Sequence, residues 1–239
     1  MPSLTAASTS AHAIGAHSAT THQAAASLAT PASRERRLVG PFGSELFYES
    51  RKENAPLAVY LHAMCGAPDH FALTLENAIS PHAALLIPEA NRPCASGAMW
   101  SGDGNSLSSL VESSVERAEG AASSNFDRNA PRMVIGFSQG AAVALRIAKQ
   151  SPGRYRSLLL IAMQVDTSAD ELKLAGVDRI VLAAGNRDGS KASMQQLTAQ
   201  LSREGFPARF VVLGEAGHWI PLDGNELLRE PIAWLAEPR

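Results

Sequence analysis

Short apolar runs alternate with stretches of helical periodicity along residues 37–239. The runs lack the polar alternation of a half-exposed sheet, which is typical of strands buried on both faces. They predict seven strands, the first of them at an edge of the sheet: Leu46–Tyr48, Leu57–Leu61, Ala84–Ile87, Met133–Ile135, Leu158–Ala162, Ile180–Ala184 and Phe210–Leu213.

Two stretches between these runs have a clear helical period. In one, the apolar residues that share a face are Leu107, Leu110, Val111, Val115 and Ala118. In the other they are Met194, Leu197 and Leu201, and that helix is expected to end at Gly205. Strands that alternate with helices predict an α/β fold, a mostly parallel twisted sheet with helices on both faces. Ligands then bind where the strands end, so the residues just after each run are the candidates for chemistry.

Residues 1–36 differ in composition from the rest of the chain. Up to residue 33 they are mainly Ala, Ser and Thr, with three histidines and no Asp, Glu, Lys or Arg. No apolar period is sustained, so we expect a disordered tail at 1–36 before one folded domain at 37–239. The segment is a poor secretory signal, because no basic residue precedes its weakly apolar stretch.

Composition narrows the classes of partner. Hydrophobic residues make up 45% of the chain, enough for the core of one sizeable α/β domain. The formal net charge is −2, and the nearest thing to a basic cluster is Arg34, Arg36 and Arg37 in an expected linker, so no nucleic acid partner is predicted. No apolar run approaches the roughly 18–20 residues of a membrane span. The two cysteines form no CxxC, and HExxH is absent, so no metal site is predicted.

The fourth predicted strand runs directly into Gly136-Phe137-Ser138-Gln139-Gly140, which an Ala-rich helical run follows. This is G-x-S-x-G between a strand and a helix, the context in which a sharp turn exposes a serine hydroxyl. Glycine on both sides lets the two backbones approach closely, and the helix aims its first amides at a developing oxyanion. We therefore predict Ser138 as a nucleophile.

A serine hydroxyl needs a base, and His218 is the only histidine after Ser138. It follows the last predicted strand and so lies at the same edge of the sheet, and the chain order at such a site is Ser, acid, His. Asp188 is the first carboxylate after the preceding strand, and we predict that it binds the distal imidazole nitrogen. Glu215, three residues before His218, is the alternative acid.

An oxyanion hole completes such a site. One donor is expected from the backbone amide of Gln139, the residue after the nucleophile, and the other from the loop after Leu57–Leu61. That loop begins His62-Ala63-Met64, and we expect the amide of Met64 to be the second donor. His62 is then a residue that shapes the loop.

At these residues the chain resembles the α/β-hydrolase superfamily over roughly 37–239. The run G-F-S-Q-G at Gly136–Gly140 is similar to the acyl-protein thioesterase and phospholipase/carboxylesterase branch, with the dienelactone hydrolases nearby. The resemblance implies a cofactor-free serine hydrolase that cleaves a small-molecule ester or thioester through an acyl-enzyme. The chain departs from the family pattern at His62-Ala63, where His-Gly is usual, and at Ala141, where the thioesterases have glycine.

The family's lid domain has no room in this chain. Only about sixteen residues separate the strand that ends at Ala162 from the next, so we expect no lid and an open site. The longest loop runs from Glu89 to about Ser106. The candidates for an apolar substrate pocket are Met99, Trp100, Phe137 and Trp219.

Other activities use the same residues. The alternatives are a peptidase or a lactone hydrolase on the same triad, an acyltransferase, and a non-catalytic α/β-hydrolase relative that serves as a binding module. The oligomeric state is not predicted.

Cys65 and Cys94 are either two free thiols or a disulfide. In the strand order that the resemblance implies, both leave the same edge of neighbouring strands, within reach of each other if the long loop folds back. Free thiols fit the cytoplasm, which is the expected compartment. A disulfide would instead indicate a secreted or periplasmic protein.

Overall fold

The computed structural model describes residues 34–70, 72–121 and 126–238. Within these ranges the strands are β1 (Glu35–Val39), β2 (Ser44–Tyr48), β3 (Leu57–Leu61), β4 (Ala84–Ile87), β5 (Arg92–Cys94), β6 (Gly97–Met99), β7 (Arg132–Phe137), β8 (Tyr155–Ile161), β9 (Arg179–Ala184) and β10 (Ala208–Val212). The helices are α1 (Ala72–Ile79), α2 (Gly104–Ala121), α3 (Gln139–Gln150), α4 (Ala169–Leu174), α5 (Lys191–Arg203) and α6 (Gly224–Ala236).

Eight strands form one sheet in the order β1-β2-β4-β3-β7-β8-β9-β10. The pairs β1–β2 and β2–β4 are antiparallel, and every later pair is parallel. Each of the seven apolar runs coincides with a strand of this sheet, although Ala162 and Leu213 lie one residue beyond β8 and β10, and the two periodic stretches form α2 and α5. β2 was expected at an edge, but it lies between β1 and β4. The predicted α/β class and mostly parallel sheet are confirmed.

The sheet separates two hydrophobic cores, because successive side chains of a strand point to opposite faces. In β3, Leu57, Val59 and Leu61 face the core formed with α2, α3, α4 and α5. Ala58 and Tyr60 face the core formed with α1 and α6. Helices therefore cover both faces, and loops cover the carboxyl edge of the sheet.

Three short strands were not expected. β1 begins at Glu35, so residues assigned to a linker and to the end of the tail pair instead with β2 at the sheet edge. This corrects the start of the domain at Arg37; the remainder of the expected tail, residues 1–33, lies outside the described residues. β5 and β6 form a two-stranded hairpin within the long loop that begins at Glu89.

The connection from β8 to β9 contains α4 and no inserted domain, as expected. The site at the carboxyl edge of the sheet is therefore bordered by loops. Among the described helices, none is long and apolar enough to cross a membrane.

Candidate active site

Ser138 lies in the turn between β7 and α3, at the carboxyl edge of the sheet. Its φ is 54° and its ψ is −119°, so a non-glycine residue holds a positive φ. Its amide donates to the carbonyl of Ile161 (2.9 Å), and its carbonyl accepts from the amide of Ala141 (2.9 Å). The turn is thus tied both to the neighbouring strand and to the helix.

The glycines on either side of Ser138 are required by space. A Cβ on Gly136 would collide with the backbone of Gly140, and a Cβ on Gly140 would collide with the carbonyl of Leu61. These contacts let α3 start directly above the ends of β3 and β7. The close approach of the two backbones, which the G-x-S-x-G pattern predicts, is therefore present in the structure.

His218 follows β10 in the loop that returns to the edge of the sheet. Its Nε2 lies 2.9 Å from the hydroxyl oxygen of Ser138, and its Nδ1 lies 2.8 Å from Oδ2 of Asp188. The ring packs against Phe137, with ring centroids 5.4 Å apart. With the proton on Nδ1, the imidazole donates to Asp188 and accepts from Ser138.

Asp188 lies in the loop after β9 with its side chain only 1% exposed. Its Oδ1 accepts from the amide (2.7 Å) and the hydroxyl (2.6 Å) of Ser190. Burial alone would raise the pKa of this carboxyl, but the hydrogen bonds from Ser190 and His218 outweigh burial and hold the pKa below its ordinary value. The carboxylate is therefore ionised and fixed in orientation.

Glu215, the alternative acid, and His62, the histidine of the oxyanion loop, both lie away from the hydrogen bonds that join Ser138, His218 and Asp188. Glu215 is exposed, where it accepts from the side chain of Asn186 (2.6 Å) and pairs with Arg187. His62 is fully buried, with Nδ1 2.9 Å from the carbonyl of Ala63 and Nε2 accepting from the amide of Ala90 (3.3 Å). Burial lowers the pKa of His62, so its ring is neutral and shapes the loop after β3.

That loop is a tight turn in which the amide of Gly66 donates to the carbonyl of Ala63 (3.0 Å). The positive φ in the turn falls on Cys65, at 56°, and not on Ala63. The methyl group of Ala63 therefore imposes no backbone strain, although this position departs from the family pattern. Among the described residues, no carbonyl accepts from the amide of Met64.

Gln139 is the first residue of α3, where backbone amides have no partner within the helix. Its amide and that of Met64, the two expected oxyanion donors, thus come from neighbouring segments at the same edge of the sheet.

The β5–β6 hairpin packs on the loop after β3. Cys94 forms a disulfide with Cys65, with Cα atoms 5.3 Å apart. Of the two alternatives for these cysteines, the structure has the disulfide and not two free thiols. The amide of Ala98 donates to the carbonyl of Gly66 (2.9 Å), and the hydroxyl of Ser96 donates to the carbonyl of Cys65 (3.0 Å). The hairpin thereby braces the expected oxyanion loop from outside.

The four candidates for a substrate pocket divide into exposed and buried residues. Trp219 is 50% exposed and Met99 is half-buried. Phe137 is buried beneath the imidazole of His218. Trp100 is also buried, and its indole nitrogen donates to the carbonyl of His62 (2.8 Å), so the expectation that it lines an open pocket is corrected. An indole with a polar partner in the core is a structural support.

Two sets of hydrogen bonds at the site were not predicted from the sequence. Ser190 doubly hydrogen-bonds Asp188, and the only sequence signal is a serine two residues after an aspartate, a common local turn pattern. The side chain of Gln139 bonds the backbone of Trp100, a contact between residues 39 positions apart for which the sequence has no signal.

No protein-family model and no curated protein sequence matches the chain. Solved structures are similar to it. Naproxen esterase from Bacillus subtilis has a TM-score of 0.57 and 12% identity, covering 86% of this chain and 92% of that chain. A Pyrobaculum calidifontis esterase has a TM-score of 0.60 and 13% identity, covering 85% and 84%. TT1662 from Thermus thermophilus has a TM-score of 0.58 and 21% identity, covering 87% and 99%. At such identities the likeness shows the fold alone.

Proposed function

Starting from the α/β-hydrolase fold that the chain adopts, we propose that it is a serine hydrolase that cleaves carboxylic esters or thioesters through an acyl-enzyme on Ser138. The observation that carries the proposal is the relay of two hydrogen bonds, 2.9 Å from Ser138 to His218 and 2.8 Å from His218 to Asp188. The esterases among the similar structures support the same reaction class.

The relay supplies the proton movements that acyl transfer needs. Nε2 of His218 takes the proton from Ser138 as its oxygen bonds the carbonyl carbon of the substrate. As the tetrahedral intermediate collapses, the bond to the alcohol or thiol breaks, and the same proton passes to that leaving group. His218 then deprotonates a water molecule as its oxygen attacks the carbonyl carbon of the acyl-enzyme. When this second intermediate collapses, the bond to the Ser138 oxygen breaks, and His218 returns the proton to that oxygen, which frees the acid. Asp188 stays ionised throughout and stabilises the imidazolium.

Negative charge on the carbonyl oxygen is stabilised by the amides of Met64 and Gln139. Amides fixed about 2.7–3.1 Å from the developing oxyanion contribute more than the same donors in water, because they need no reorganisation. The start of α3 adds its dipole at the same point.

Exposure of the site favours water as the acceptor. The side chain of His218 is 56% exposed, and the β8–β9 connection adds no lid over it. An acyltransferase must exclude water, so hydrolysis is the better fit. A peptidase or lactone hydrolase uses the same relay, and the substrate panel below separates these from an esterase.

A fluorophosphonate probe tests the proposal, because it phosphonylates only an activated serine. We expect intact-mass analysis to show one adduct on the wild type, mapped by peptide sequencing to Ser138, and none on Ser138→Ala. Ser109→Ala, at an exposed serine of α2, is the matched control and should label like the wild type. A folded wild type that takes up no probe would identify a non-catalytic binding module instead.

Substrate class follows from turnover on p-nitrophenyl esters and acyl-thioesters of graded chain length, with lactones and peptide anilides as the competing series. We expect kcat/KM to be highest for an ester or thioester. A preference for the anilides or the lactones would move the proposal to those classes.

We also propose that the protein works in an oxidising compartment, secreted or periplasmic, because disulfides such as Cys65–Cys94 are rare in the cytosol. Alkylation of the protein from its native compartment, followed by mass spectrometry with and without prior reduction, tests this. Two alkylated thiols in the unreduced sample would favour a cytoplasmic enzyme.

A further inference from the structure

The two amides of the proposed oxyanion hole lie on different segments, beyond the last paired residues of their strands. β3 and β7 pair as far as Leu61 and Gly136, and Met64 and Gln139 each lie three residues further along. The sheet ladder therefore does not set the gap between these two amides. An oxyanion hole requires that gap to be fixed, because the donors must reach one oxygen together.

The side chain of Gln139 is held by the backbone of Trp100. The amide of Trp100 donates to Oε1 of Gln139 (3.0 Å), and Nε2 of Gln139 donates to the carbonyl of Trp100 (3.1 Å). A carboxamide is suited to this pairing, because it presents one donor and one acceptor side by side. Residue 139 thus offers its backbone amide to the substrate while its side chain anchors it.

Trp100 reaches the other segment through its indole. Its Nε1 donates to the carbonyl of His62 (2.8 Å), and its ring lies against the imidazole of His62 with centroids 5.1 Å apart. His62 is two residues before Met64, and it is fixed in turn by the amide of Ala90 (3.3 Å). One buried residue therefore contacts both segments that supply the oxyanion donors.

We propose that Trp100 and the side chain of Gln139 are positioning residues that set the gap between the amides of Met64 and Gln139. The inference rests on the proposed function and assigns these side chains no contact with substrate. Their effect falls on the transition state, where the oxyanion exists, and not on binding of the neutral ester.

Gln139→Met tests the proposal, because it removes both hydrogen bonds while it keeps the length and the backbone amide. We expect kcat to fall by about 10- to 100-fold with KM nearly unchanged, since misplacement of about 1 Å costs on the order of 10²-fold. The rate of fluorophosphonate labelling at Ser138 should fall in parallel. Gln195→Met, at an exposed glutamine of α5, is the matched control and should keep wild-type rates.

Trp100→Phe removes the indole donor and keeps an aromatic ring. It should lower kcat to a similar degree, and the double variant with Gln139→Met should be hardly slower than either single variant, because both break the same link. Trp234→Phe on α6 controls for the loss of a tryptophan. If Trp100→Phe does not fold, Gln139→Met alone decides.

The outcomes separate the two proposals. A wild type that labels and hydrolyses, beside a folded Gln139→Met that keeps kcat within twofold or changes KM alone, overturns the positioning role and leaves the serine hydrolase standing. Fully additive losses in the double variant also overturn it. A wild type that neither labels nor hydrolyses overturns both.

Discussion

Ser138 holds a backbone conformation that costs a non-glycine residue about 1–3 kcal/mol. Its φ of 54° persists because the turn is fixed by Ile161 on one side and Ala141 on the other. Gly136 and Gly140 occupy the positions where a Cβ would not fit, and Ser138 occupies the position with the strained backbone. The positive φ therefore falls on the proposed nucleophile and not on the residues beside it.

The proposed role of Asp188 depends on one atom, the carboxylate oxygen Oδ2 that accepts from Nδ1 of His218. Asp188→Asn can present its amide nitrogen to Nδ1 of His218, which then favours the tautomer that cannot accept from Ser138. We expect kcat to fall by about 10³–10⁴-fold while the protein stays folded, measured as ester turnover beside the melting temperature.

The matched control for this prediction is Glu215→Gln, at the alternative acid. Because Glu215 binds Asn186 and Arg187 on the surface, its replacement should leave kcat within about twofold. Full activity in Asp188→Asn with loss in Glu215→Gln would transfer the acid role to Glu215.

Which site residues the sequence could predict depends on where each lies relative to a strand. Ser138, Asp188 and His218 each follow a recognisable strand, so the rule that parallel strands end at one edge was sufficient to bring them together. Trp100 follows a three-residue strand and is buried by contacts with His62 and Gln139. Burial of that kind comes from tertiary packing and has no local pattern.

At the scale of elements, the strands inside the sheet and β10 at one edge were predictable, whereas β1 at the other edge and the two hairpin strands were not. β3 and β4 match the apolar runs residue for residue. β1 carries charged residues because it lies at the edge of the sheet, so its sequence looks like a linker. β5 and β6 are three residues each, too short for a period, and the disulfide and the contact with Gly66 hold the hairpin.

The disulfide that joins this hairpin to the loop after β3 should contribute to stability. It closes a segment with a separation of 29 residues, for which the loss of chain entropy in the unfolded state corresponds to about 3–4 kcal/mol. We therefore expect the double variant Cys65→Ser, Cys94→Ser to unfold at a clearly lower urea concentration than the oxidised wild type does.

Reduced wild type is the control, because it has the same side chains without the bond. It should unfold at nearly the same urea concentration as the double variant. Equal midpoints for the oxidised and reduced wild type would show that the bond adds nothing to the free energy of unfolding.

At the scale of the whole molecule, stability should depend on the pH through Glu89, a half-buried carboxyl beyond the end of β4. Burial, and then the negative charges of Asp69 and Glu45, raise its pKa from 4.5 to about 7. A raised pKa in the folded state favours the protonated form. The contribution is therefore fully present below about pH 4.5 and is lost as the pH rises towards 7.

Glu89→Gln removes this titration. Above pH 7 the variant should be more stable than the wild type by on the order of 1 kcal/mol, a value reduced for solvent screening of a half-exposed group. Near pH 4.5 the difference should vanish, as urea unfolding at the two pH values would show. Glu53→Gln, at an exposed glutamate, should show no such dependence. A variant of Glu89 with a constant difference at both pH values would contradict the assignment.

The disulfide also has a consequence for the order in which the protein is made. Cys65 and Cys94 both precede β7, which starts at Arg132 and completes the pairing of β3. As a chain is synthesised from its amino end, the two thiols emerge together with β3, β4 and the hairpin, while the segment that bears Ser138 does not yet exist. An oxidant present during synthesis can close the bond on this half. The loop with Met64 is then tied to the hairpin before Ser138 is synthesised, whereas an oxidant supplied only after synthesis acts on a chain in which β7 is already present.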